Sequence, residues 1–195
     1  MIAAMDIPRF QTENIYMCKP IKNKIMSGGM FSRIIYSSDS ISMNGIYIAF
    51  DLSGHICEIF PSKFKIQFAP TVGGSGSPTK SYSSSTEHTS GIIKSLCDME
   101  RSILASISIP GKTPLYKLRD QLGQNNFKFF WLSDNISGQH ATISNTTPTN
   151  NVIKYKDAPG SCHNARFILK ISGCWTTPVS YGITYKFSRV ASPGS

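Results

Sequence analysis

The sequence predicts a β-rich α+β fold, an OB-like or Greek-key barrel of about six to eight strands with two helices inserted near the middle. Three observations predict it. Several short stretches alternate apolar and polar residues with the period of a half-buried strand, Lys63-Phe64-Lys65-Ile66-Gln67-Phe68 most regularly. Charged residues make up only 16% of the chain, and Ser, Thr, Asn and Gly take their place, a turn-rich composition. The helical period is confined to residues 90–122.

Taken in order, residues 1–14 read as irregular, with Pro8 inside them. Ile15-Tyr16-Met17-Cys18 reads as a short strand stopped by Pro20, followed by a loop carrying Lys19, Lys22 and Lys24 beside Gly28-Gly29. Residues 31–37 and 46–52 read as neighbouring strands, separated by the Asn44-Gly45 turn signal. Ile46, Ile48, Phe50 and Leu52 face one way, and Tyr47, Ala49 and Asp51 the other. In the 63–68 strand Phe64, Ile66 and Phe68 point inward. Pro70 ends it, and 71–90 is so rich in Gly, Ser and Thr that it reads as a flexible loop, either an excursion or a lid that orders on a ligand.

Ile92/Ile93, Leu96, Met99/Glu100 and Ile103/Leu104 form the stripe of a helix over 90–107, with Thr89 or Ser90 as its cap. Cys97 lies on that stripe. A second helix is predicted over 114–122, capped by Thr113, opened by Pro114, striped by Leu115, Leu118 and Leu122, and ended by Gly123. Phe127 to Leu132 is the most apolar strand, with Phe127, Phe129 and Trp131 on one face and Lys128, Phe130 and Leu132 on the other. A second flexible loop is predicted near 133–151, and a turn at 157–161 around Pro159-Gly160. The last strands run from Ala165 to Trp175 and from Tyr181 to Phe187. Phe167, Leu169, Ile171, Gly173, Tyr181, Ile183, Tyr185 and Phe187 point inward, with Pro178 in the turn between the strands.

At 195 residues the chain fits a single domain, 1–195, with room for a core that needs no metal or disulfide. No apolar run approaches the ~18 residues of a membrane span, and Asp6, Pro8 and Arg9 interrupt the apolar start too early for a signal peptide. The five cysteines (18, 57, 97, 162 and 174) are odd in number and form no C-x-x-C, so free thiols in an intracellular, reducing compartment are expected. His55-Ile56-Cys57 and Cys162-His163 lack the spacing of zinc knuckles, and no metal or cofactor is expected.

There is no G-x-S-x-G, H-E-x-x-H or Walker sequence, the acidic residues are scattered, and Gly73-Gly74-Ser75-Gly76-Ser77 lacks the Lys-Ser/Thr of a phosphate loop. The expectation is a protein that is not an enzyme. The net charge of +9 is uneven: +2 over residues 1–69, zero over 70–110 and +7 over 111–195. Such a balance attracts polyanions, and it also serves solubility.

Basic residues recur beside aromatics on strand backgrounds. Lys63 and Lys65 flank Phe64, Lys128 adjoins Phe127 and Phe130, and Tyr155 lies between Lys154 and Lys156; Arg166, Lys170 and Lys186 fall on the polar faces of the last two strands. If those strands pair, the three share a face. Cations that hold phosphates, and aromatics that stack on bases, suit single-stranded DNA or RNA read without sequence preference. Ordinary Phe-in, Lys-out alternation accounts for much of the same pattern, so only aromatics on the polar side discriminate: Phe130, Tyr47, Tyr155 and Trp175. The predicted binding residues are Lys63, Lys65, Lys128, Phe130, Lys154, Tyr155, Lys156, Arg166, Lys170 and Lys186.

Phe167-Ile168-Leu169-Lys170-Ile171-Ser172-Gly173-Cys174-Trp175 followed by Tyr181-Gly182-Ile183-Thr184-Tyr185-Lys186-Phe187 resembles the closing hairpin of small β-rich proteins from eukaryotic DNA viruses and virus-like transposable elements. Asn44-Gly45-Ile46-Tyr47, and the Leu118-x-x-x-Leu122 helix before a Lys-Phe strand, fit the same resemblance, which covers roughly half the chain. It implies a viral protein of the host nucleus or cytoplasm. The first form it suggests is a single-stranded-DNA-binding protein of DNA replication, monomeric or a small homo-oligomer and not membrane-bound. The alternative is a structural β-rich capsid component.

Overall fold

The computed structural model describes residues 4–23, 25, 26, 28–60, 63–68, 83–132 and 160–190. In chain order these form β1 (Met5–Asp6), two 3-10 turns (Ile7–Arg9 and Thr12–Asn14), β2 (Ile15–Met17), β3 (Ile21–Lys22), β4 (Met30–Ser37), β5 (Ser42–Met43), β6 (Ile46–Phe60), β7 (Lys63–Gln67), α1 (Ser83–Ile107), β8 (Thr113–Pro114), α2 (Lys117–Leu122), β9 (Asn126–Leu132), β10 (Gly160–Thr176) and β11 (Ser180–Val190).

Five strands close on themselves. Along the sheet the order is β6–β7–β9–β11–β10, and β10 pairs back onto β6. All the barrel pairs are antiparallel except β9 with β11. Closure follows from the alternation: each strand turns one apolar file inward, and a closed sheet buries that file without leaving an edge. The interior is phenylalanine. Phe127 stacks on Phe187 at 4.0 Å, Phe167 stands edge-on to Phe127 at 5.3 Å and to Phe129 at 5.2 Å, and Phe64 stacks on Phe129 at 5.7 Å. Such pairs contribute about 0.5–1.5 kcal/mol each beyond the area they bury.

Two glycines admit the close approaches that closure needs. A Cβ on Gly54 would lie 2.6 Å from the Gln67 carbonyl oxygen, where β6 runs between β10 and β7. A Cβ on Gly173 would lie 2.4 Å from the Ser32 carbonyl oxygen, where β10 slips register against β11 and takes β4 as its neighbour. β4 extends the sheet beyond the barrel, and β2, β3 and β5 fringe it.

The helices cover the sheet as expected of packing elements. α1 buries Leu96, Met99, Ile103 and Leu104, and α2 buries Leu118 and Leu122. Glu100, fully buried, reaches from α1 to α2 and accepts hydrogen bonds from the backbone N–H groups of Leu118 (2.9 Å) and Arg119 (2.8 Å). These are the donors a helix start leaves without internal partners. Tyr181 donates its hydroxyl to the Leu104 carbonyl (3.2 Å) and Tyr185 to the Lys117 carbonyl (3.0 Å), tying β11 to both helices.

Several expectations are corrected. Among the described residues eleven strands form where six to eight were expected, because β1, β3, β5 and β8 are two-residue bridges too short to show alternation. β4 and β6 are not hydrogen-bonded neighbours: the chain folds β5 back onto β4, and β10 pairs with both strands. Of the predicted loop at 71–90, residues 83–90 are helical, so neither Thr89 nor Ser90 is the cap; Ser and Thr are weak helix formers, overridden here by the run behind them. Residues 71–82, and the whole predicted 133–151 loop, lie outside the described residues. Thr113 and Pro114 bridge to β11 instead of opening α2, which starts at Lys117 with its cap supplied by Glu100. Gly160 and Ser161, predicted in a turn, already belong to β10 through pairing with Ile56 and His55. Ile168, on the polar file, is nonetheless buried, between Ala49 and Ser188 in register.

Burial raises the Glu100 pKa above the ordinary carboxylate value, against the lowering effect of the two N–H donors. A folded-state pKa above the unfolded one means that the linked stability is complete below the unfolded value and is lost as pH rises through the folded one. Urea denaturation followed from the carboxylate range to neutrality is expected to show this loss in the wild type and not in Glu100→Gln. Glu100→Ala should cost about 1–3 kcal/mol for each N–H left without an acceptor.

Candidate nucleic-acid interface

Alternation that sends phenylalanine inward sends lysine outward, and the barrel's register decides which lysines meet. Lys65 on β7 is directly opposite Lys128 on β9. Lys170 on β10 is directly opposite Lys186 on β11, and on its other side Lys170 faces Tyr47 of β6. Phe129 pairs with Phe187 in the parallel seam, and both are buried; one position earlier on each strand Lys128 and Lys186 project outward together. The result is one transverse row, Lys65–Lys128–Lys186–Lys170, ending on Tyr47. The Lys170 ammonium lies 4.8 Å from the Tyr47 ring centroid, a cation–π contact.

Two residues along each strand is a second row on the same face. Lys63 is opposite Phe130 by the same register, and Ser188, Ile168 and Ala49 follow across β11, β10 and β6. Phe130 is 47% exposed, large for a phenyl ring, and the Lys63 ammonium sits 5.9 Å from its centroid. Arg166 lies one row further on. It shares the outer face with Lys170 and Lys186 as expected, but two carboxylates hold it, Asp51 at 3.0 Å and Asp6 at 3.1 Å. Its charge is largely answered within the fold. By contrast, among the described residues none of Lys65, Lys128, Lys170 and Lys186 has a carboxylate at salt-bridge distance.

Of the ten predicted residues, Lys63, Lys65, Lys128, Phe130, Lys170 and Lys186 therefore come together on two adjacent rows. Arg166 sits at their border, and Lys154, Tyr155 and Lys156 lie outside the described residues. Trp175 is a packing group: its indole N–H donates to the Ile183 carbonyl (3.2 Å), and its ring closes over Gly182. Tyr47, a stacking candidate outside the predicted binding residues, stands in the row through its register against Lys170. Asp6 and Asp51 carry no sequence signal for pairing with Arg166, because the three meet only through β1, β6 and β10.

Other chemistry finds less support. Among the described residues no three His, Cys, Asp or Glu side chains group as metal ligands, and no helix is long and apolar enough to cross a membrane. A pocket of about 300 Å³ between the 3-10 turns and α1 is lined by Glu13 and Asp98 among others, which repel an anion. Cys174 is buried, and burial pushes its thiol up to about 11. Comparison with family models, curated proteins and solved structures found no match.

Two outcomes are expected. A thiol reagent at neutral pH should leave Cys174 unmodified until denaturant is added, because little thiolate forms and the sulfur is covered; labelling read by peptide mass spectrometry checks this. Like charges directly opposite one another destabilise a sheet. Lys128→Thr and Lys186→Thr should therefore leave the denaturation midpoint unchanged or slightly higher, which urea titration measures.

Proposed function

We propose that the barrel binds single-stranded DNA or RNA without strong sequence preference and without turnover. The observation that carries this reading is the outer face of β7, β9, β11 and β10. Four lysines without carboxylate partners among the described residues lie there in one row, beside an exposed Phe130 capped by Lys63. Cations answer phosphates, and an exposed ring stacks on any base, so affinity comes without sequence reading. The closed five-strand order supports the OB-like form of barrel, whose second and third strands present a face to oligonucleotides. Here those strands are β7 and β9, which carry Lys63, Lys65, Lys128 and Phe130. The setting we assign is viral DNA replication, in the host nucleus or cytoplasm, as a monomer or small homo-oligomer; it rests on the sequence resemblance carried by the closing hairpin, the Asn44-Gly45-Ile46-Tyr47 segment and the Leu118-x-x-x-Leu122 helix.

One observation favours the alternative, a structural β-rich capsid component. At the β2–β3 fringe, Tyr16, Ile21 and Met30 are exposed, and Ile25 nearby is 94% exposed. An apolar sheet fringe is suited to subunit contact.

Fluorescence anisotropy with oligo-dT should show binding that weakens steeply with salt, and Phe130→Ala should weaken it by about 1–3 kcal/mol, the range for one lost stack. No binding at low salt would sink the reading. Light scattering without nucleic acid should find a monomer or small oligomer; a large closed particle would favour the capsid role.

A further inference from the structure

The geometry points to a phosphate track that does not stop at β7 and β9 but crosses the parallel seam onto β11 and β10 and ends at Tyr47, with a base of the bound strand turned toward the exposed Phe130 ring. This deepens the reading above and rests on it. Strands lie about 4.8 Å apart, so the row from Lys65 to Lys170 spans about 14 Å across four strands. That length takes several successive phosphates of an extended single strand.

The two rows divide the labour. The first is wholly cationic until Tyr47; the second, about 6.6 Å away along the strands, is neutral after Lys63, with Phe130 exposed and Ser188, Ile168 and Ala49 buried. Beyond it Arg166 is held by Asp6 and Asp51. A nucleic-acid backbone laid on the cationic row, with a base against the exposed Phe130 ring, meets complementary chemistry on both sides. The opposite placement would set phosphates toward the Asp6 and Asp51 carboxylates.

Two facing lysine pairs supply independent support. Lys65 faces Lys128, and Lys170 faces Lys186. Each arrangement opposes sheet pairing unless an anion lies between the ammonium groups. The second pair sets like charges opposite one another as the first does, so a ligand confined to β7 and β9 explains only one of them.

The test is the salt dependence of oligo-dT binding by the full chain. Four phosphate contacts predict a slope of about −2.8 in log K against log salt, hence about a 50-fold loss over a fourfold rise in salt. Lys170→Thr with Lys186→Thr should reduce the slope to about −1.4, hence about a 7-fold loss over the same rise. Lys94→Gln with Lys117→Gln removes the same charge from the helices and should leave the slope at its wild-type value. Urea titration of each variant confirms that it folds. A wild-type slope in the β10–β11 variant, or an equal fall in the helix variant, would overturn the track while leaving single-strand binding intact. Failure of the wild-type chain to bind at all would overturn the proposed function and the track together.

Discussion

The return of β10 onto β6 is the constraint on which the rest of the molecule depends. β10 is 17 residues long and pairs with β11, β6 and β4. Without its contact to β6 the five strands would form an open, twisted sheet, and the apolar file of each would face water. Closure also sets who meets whom on the outside. It brings Tyr47 beside Lys170 and Asp51 beside Arg166, although these pairs are more than a hundred residues apart in sequence. The slip of register at Gly173 lets one strand serve both the barrel and the β4 extension, a use of a β-bulge to redirect a strand.

The inside of this barrel was legible in the sequence, and its perimeter was not. Alternation assigned Ile46, Ile48, Phe50 and Leu52, and Phe64, Ile66 and Phe68, to the core correctly, because a period of two residues is a local property. The same local reading set β4 beside β6, since consecutive strands joined by Asn44-Gly45 look like a hairpin. Only the long-range pairing of β10 with each of them shows otherwise. The cap of α2 failed for a related reason: Thr113 had the right chemistry at the right spacing, while Glu100 does the work through tertiary contact. For the candidate site, alternation placed each lysine outward one strand at a time. Which lysines stand opposite one another, and that Arg166 is answered by two carboxylates, are consequences of register, and register is invisible in a single strand.

The outer surface carries two kinds of electrostatics side by side. Arg166 with Asp6 and Asp51 is a satisfied cluster that ties β1, β6 and β10 together and favours the closed barrel. The lysine row has no carboxylate at salt-bridge distance among the described residues and works against strand pairing where two lysines stand opposite each other. Here charge placement and strand pairing disagree, and the row adds nothing to the stability of the isolated chain.

The junction between the helices has a consequence for motion. A six-residue helix cannot hold itself in water, since nucleation costs more than so few turns return. α2 therefore exists only while Glu100 receives the N–H groups of Leu118 and Arg119 and Tyr185 donates to Lys117. Those two amides are shielded by an acceptor on another element, so their exchange with solvent hydrogen is gated by separation of α2 from α1, not by fraying of α2 itself. The protection of two backbone protons then reports on the docking of α2 against α1 and β11.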